Sequence, residues 1–160
     1  MPASISDRAA AAPGELTQLR LLIELSALRK LANRGLADDE LALVRKLADD
    51  TMRPARAGDV TGYLRADTVF HLRLLELAGD PAVSGIAPLL LAPEQPSPPG
   101  PEEPRHLMTR EAREHRDLAG LLADGSVSAV DHLVRRHLFR LSDAKPAYAS
   151  PPGRLTCMGA

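Results

Sequence analysis

Apolar residues recur along this chain in steps of three and four, the period of a helix with one buried face. From Glu15 to about Arg34 the positions Leu16, Leu19, Ile23, Leu28 and Leu31 keep that spacing, and Gly35 follows as a C-cap. Asp38 and Asp39 put negative charge at the start of a second helix, carried through Leu41, Val44 and Leu47 to about Met52. Pro54 and Gly58 punctuate, and Asp59 reads as the N-cap of a third helix ending near Ala78. Gly79-Asp80-Pro81 predicts a turn, with proline at the first position of a short apolar helix to about Leu91. A fifth helix spans about Arg105 to Ala123, Asp124-Gly125 breaks it, and Ser126 caps a sixth to about Ser142.

Residues 92–104 hold six prolines, which predicts a stiff extended connector, too short to separate two domains. No repeat appears at a period of 20–50 residues. The expected organisation is a disordered, Ala-rich N-terminus (1–13), one helical bundle (14–143) and a flexible Pro- and Gly-containing tail (144–160).

Composition agrees with an all-α fold: 27 Leu and 25 Ala stand against only ten Val and Ile together. With 20 basic and 21 acidic residues, the net charge of −1 leaves no basic field for nucleic acid or an anionic membrane. The only aromatics, Tyr63, Phe70, Phe139 and Tyr148, are too few for a base-stacking platform. Cys157 is alone, so neither a disulfide framework nor a cysteine-built zinc site is available. Residues 1–14 do not read as a secretory signal, and no apolar run reaches the roughly 18 residues of a membrane span. The expected setting is the reducing bacterial cytoplasm.

Four polar residues interrupt the apolar stripes. In the third helix the core line runs Val60, Leu64, Asp67, His71, Leu74, Ala78; in the fifth, Met108, Ala112, His115, Leu118 or Ala119, Leu122; in the sixth, Val127, Val130, Val134, His137, Leu141. A buried carboxylate or imidazole without partners costs several kcal/mol. Convergence of Asp67, His71, His115 and His137 on one cation satisfies all four at once. Asp67 and His71, at i and i+4, are adjacent on one helical face. Three imidazoles and a carboxylate suit Zn²⁺, Ni²⁺, Mn²⁺ or Fe²⁺, not the all-oxygen preference of Ca²⁺. The competing readings are ordinary ones: a core histidine bonded to a carbonyl, or Asp67 and His71 as a buried ion pair.

Asp67-Thr-Val-Phe-His71, then Glu114-His115, then His137-Leu138, together resemble the FCD domain, the C-terminal effector-binding domain of the FadR subgroup of GntR-type transcription regulators. Arg20-Leu-Leu-Ile-Glu24 and Leu77-Ala-Gly-Asp80-Pro81 are similar to two further motifs of that family, which has Asn at the position of Asp80. The resemblance covers about residues 15–143. It implies an antiparallel bundle of six or seven helices around a central metal and ligand cavity. Asp67, His71, His115 and His137 would hold one divalent ion, and Arg20 would clamp the carboxylate of a small ligand, a task that suits a guanidinium fork. The other reading of Arg20 is an i, i+4 pair with Glu24 on a solvated face.

Those regulators carry a winged helix-turn-helix ahead of this domain, whereas only residues 1–14 precede the first helix here. With Met1 as the start, the expectation is a stand-alone ligand-binding module, with no direct nucleic-acid contact, no membrane partner and scope for a homodimer. The alternative is a metal-dependent lyase, isomerase or cyclase using the ion as a Lewis acid. His132 and His106 read as surface residues. Arg110, Arg113 and Arg116 fan around the fifth helix, and Arg135, Arg136 and Arg140 read as a solvated edge. Glu114 could orient a histidine, but beside His115 it points elsewhere.

Overall fold

The computed structural model describes residues 13–91 and 104–143, which form six helices. These are α1 (Pro13–Arg34), α2 (Asp38–Ala57), α3 (Val60–Ala78), α4 (Pro81–Leu90), α5 (Pro104–Ala123) and α6 (Val127–Asp143). The N-terminal segment to residue 12, the proline-rich stretch 92–103 and the tail from residue 144 lie outside the described residues. No described helix is long and apolar enough to cross a membrane.

The local signals act as the chemistry dictates. The Asp59 carboxylate accepts the Gly62 N–H at 2.9 Å and starts α3. Asp80 caps α4 through the Ala82 and Val83 N–H groups, with Pro81 as the first helical residue. Ala37 has no side-chain oxygen, so at the start of α2 only the reverse half of a capping box forms, Ala37 N–H to Glu40 Oε2 at 2.9 Å.

One boundary differs from the sequence expectation. The second helix does not end near Met52 but continues through Pro54 to Ala57. Proline forfeits one intrahelical bond on an exposed side of the helix, at Asp50. The extra turn buries Ala55 completely beside Met52, Tyr63, Met108 and Ala112, and Gly58 at φ 72° then closes the helix.

Side-chain pairs fix the direction of the helices. Arg29 meets Asp131, and Glu24 shares a cavity with His137, so α1 and α6 are antiparallel. Asp49 bonds Arg116 and Thr51 meets His115, so α2 and α5 are antiparallel. Tyr63 pairs with Glu111 and Asp67 with His115, so α3 and α5 run the same way. The result is an up-down bundle in which α3 packs on α1, α2 and α4, and α6 closes against α1 and α5. Its main core is aliphatic (Leu28, Leu31, Leu74, Leu75, Leu122, Leu138) around Phe70.

The α5–α6 turn depends on Gly125, which has φ 67° and would bring a Cβ within 3.3 Å of the Ala32 carbonyl at the end of α1. Gly125→Ala should therefore cost about 1–2 kcal/mol from the left-handed backbone, read as a lower midpoint in urea unfolding. Unchanged stability would mean that the turn relaxes freely.

Candidate metal centre

Three helices deliver the polar residues that their apolar stripes singled out. The α3 stripe turns His71, Leu74 and Ala78 fully inward and leaves Val60, Leu64 and Asp67 half-buried. On α5 Met108, Ala112, His115, Leu118, Ala119 and Leu122 are all buried, and on α6 so are Val130, Val134 and His137. Asp67, His71, His115 and His137 each offer one ligand atom, and these atoms lie within 4.8 Å of one another.

Each imidazole turns Nδ1 outward to a residue of a different helix. His137 Nδ1 is 2.9 Å from Glu114 Oε2. His115 Nδ1 is 3.1 Å from the Thr51 hydroxyl, whose single proton goes to the Ala48 carbonyl at 2.7 Å. The hydroxyl must therefore accept from Nδ1–H, which leaves the lone pair of His115 on Nε2. His71 Nδ1 lies 2.8 Å from Glu24 Oε2, an ionic contact off the axis of an aligned hydrogen bond.

The Nε2 atoms all face inward, and none has a hydrogen-bond partner among the described residues. Asp67 Oδ1 lies 3.2 Å from that of His115 and 3.5 Å from that of His71, again without hydrogen-bond alignment. Buried polar atoms are normally paired, so three orphans around one carboxylate oxygen are the pattern of donor atoms aimed at a shared position. Beside the rings is a cavity of about 10 Å³ lined by Glu24, Glu114, Leu118, Leu133 and Val134 as well as the three histidines. That is room for about one water or ion and not for an organic acid.

The electrostatics follow from burial and neighbours. Burial opposes charge on His71, but Glu24 and Asp67 outweigh it and push its imidazole up to about 9. His115 is dominated by burial and falls to about 4. Against the same burial cost, the cations His71 and Arg20 hold Glu24 down at about 2. His71 holds Asp67 well below the usual carboxylate range against burial, and the His115 ring beside it acts in the same direction.

Arg20 does pair with Glu24, Nε to Oε1 at 2.5 Å, but not on a solvated face: Glu24 is 2% exposed. The Arg20 side chain keeps 18% of its exposure, and its Nη2 is buried with no hydrogen-bond partner among the described residues. Sequence reasoning missed Glu24, Thr51 and Glu111. Each lies on an apolar stripe, Glu24 between Leu21 and Leu28, Thr51 between Ala48 and Ala55, and Glu111 between Met108 and His115. The signal that marked the four histidine and aspartate positions was thus present for these as well. Glu114 does orient a histidine, but the one on α6 rather than its neighbour in sequence. His132 and His106 are exposed. Arg116 pairs with Asp49 at 2.6 Å, and Arg136 Nε approaches Glu114 Oε1 at 3.3 Å.

The family model described as FCD domain matches residues 15–140. Among solved structures, Streptococcus agalactiae GntR aligns with a TM-score of 0.65 at 24% identity, over 81% of this chain and 57% of that one. The chain therefore spans little more than half the length of that relative. No curated protein matches.

Proposed function

The chain belongs to the FCD domain family, and from that premise we propose that it is an effector-binding module whose centre holds one divalent transition-metal ion and a small carboxylate. Asp67, His71, His115 and His137 would be the protein ligands, and Arg20 the residue that meets the acid. The observation that carries this reading is the convergence of three orphaned Nε2 atoms and the Asp67 carboxylate oxygen within 4.8 Å. A tetrahedral ion bonded at about 2.0–2.1 Å spaces its ligands about 3.4 Å apart, so small side-chain movements close the set. The nitrogen-rich donors favour Zn²⁺, Ni²⁺, Mn²⁺ or Fe²⁺. The bound ion would supply a Lewis-acidic position for an acid's oxygen.

The protein's own groups do the rest. Glu24, Thr51 and Glu114 hold the ring orientations, as carboxylates and hydroxyls behind metal-bound histidines do. Asp67 and Arg20 keep 15% and 18% of their side-chain exposure, which supports an approach for the acid between α3 and α1, because the cavity beside the rings has room for the ion alone. The buried, unpartnered Nη2 of Arg20 is a donor supplied in advance for a carboxylate.

Titration of Zn²⁺ or Co²⁺ into EDTA-treated protein should saturate at one ion per chain and raise the melting temperature. Binding at 100 times Kd contributes about 2.7 kcal/mol. Absence of saturable binding would overturn the metal. Arg20→Ala should take up the ion normally and lose at least tenfold in affinity for acids that the loaded parent binds. Equal affinity would remove Arg20 from the role.

A further inference from the structure

Glu111 is a buried carboxyl group that the metal set does not use. It is 4% exposed on the same face of α5 as His115, one turn earlier. Its Oε2 accepts the Tyr63 hydroxyl at 3.0 Å, while its Oε1 has no hydrogen-bond partner among the described residues. Tyr63 in turn lies one turn before Asp67 on α3. Because α3 and α5 run the same way, the Tyr63–Glu111 pair forms a layer above the Asp67–His115 contact, about 6 Å along the helices at 1.5 Å per residue.

The two sides of the centre are thus unlike. Below the rings, Leu118, Leu133 and Val134 make an apolar floor. Above Asp67 stand a tyrosine, a carboxyl group and the Arg20 guanidinium, which is within electrostatic reach of both Asp67 and Glu111. This upper layer holds two complementary orphans, a donor at Arg20 Nη2 and an acceptor at Glu111 Oε1. A plain carboxylate answers only the first. An acid that carries a donor beside its carboxylate answers both.

We infer that Tyr63 and Glu111 form a donor-reading subsite, which makes the centre prefer acids bearing a hydroxyl or ammonium group next to the carboxylate. The inference rests on the metal and carboxylate reading above and adds the chemical class of the ligand. Tyr63 fixes one carboxyl oxygen and leaves the other, buried and without a partner among the described residues, to meet a donor. Burial, foremost, raises the proton affinity of Glu111, so it gains strongly from a hydrogen-bond donor. Sites built around a buried polar group discriminate sharply against analogues that leave it unpaired.

The test uses the metal-loaded full chain and two matched series, acetate, glycolate and glycine, then propionate, lactate and alanine, titrated calorimetrically. In at least one series the hydroxy or amino acid should bind ten or more times more tightly than the plain acid. Which of the two gains identifies the donor as hydroxyl or ammonium. Glu111→Gln turns an amide N–H₂ toward the ligand and should cut the advantage below threefold, with plain-acid affinity and metal content unchanged. Glu111→Asp, which withdraws the oxygen by one methylene, should do the same and guards against misfolding of either variant. Equal affinities across both series, or an advantage that survives both substitutions, overturns the subsite while leaving the centre standing. A parent that takes up no metal, or binds none of the acids, overturns both together.

Discussion

His137→Ala should bring the metal content of the purified protein from about one ion per chain to near zero. Losing an outer partner of a metal-bound histidine costs 10–100-fold in affinity, and losing the ring itself costs more. His137 is the only one of the four that α6 contributes, and nothing else on α6 among the described residues reaches the same point. Its removal also strips the buried Glu114 of the imidazole held at 2.9 Å. Elemental analysis and Zn²⁺ titration measure the outcome, and a variant that keeps one tightly bound ion would show that the four side chains are not a joint site.

Glu24→Ala should destabilise the metal-free protein by about 3 kcal/mol at neutral pH, the scale for removing one partner of a buried ionic set. The Glu24 carboxylate stands between two cations, Arg20 at 2.5 Å and His71 at 2.8 Å, and alanine leaves both uncompensated. The pH dependence is also set. Glu24 is depressed from its ordinary 4.5 to about 2, so its contribution is present above 4.5 and fades as pH falls toward 2. His71 is raised from 6.5 to about 9, so its contribution is full below 6.5 and fades as pH rises through 9. Parent and variant should differ most between about pH 4.5 and 6.5 and converge on either side, in urea unfolding with EDTA present. A difference that does not vary with pH would mean that packing, not charge, holds Glu24 in place.

The α3, α5 and α6 stripes were legible because a histidine or aspartate among leucines stands out at helical spacing, and that spacing is local. The meeting of Asp67, His71, His115 and His137 could be read from the chain for this reason. Glu24 and Thr51 carried the same signal of a polar residue on an apolar stripe, but which ring each of them and Glu114 meets depends on the registry between helices, which is not local. Glu114 is the clearest instance. Beside His115 in sequence it points away from that ring, and α6 packing antiparallel to α5 brings His137 to it instead. The last turn of α2 escaped for a related reason. Pro54 is a local stop signal, and the burial of Ala55 against α3 and α5 overrides it.

Every histidine at the centre is held from a helix other than its own, His71 by α1, His115 by α2 and His137 by α5. Helices α1 and α2 give no ligand, yet both terminate a hydrogen-bonded or ionic chain that begins at the rings. The centre is therefore a keystone in the plain sense that five of the six described helices bear on one point. Among the described helices only α4 supplies neither a ligand nor an outer partner; it packs on α3 and α1 and buries Ala87 in the core.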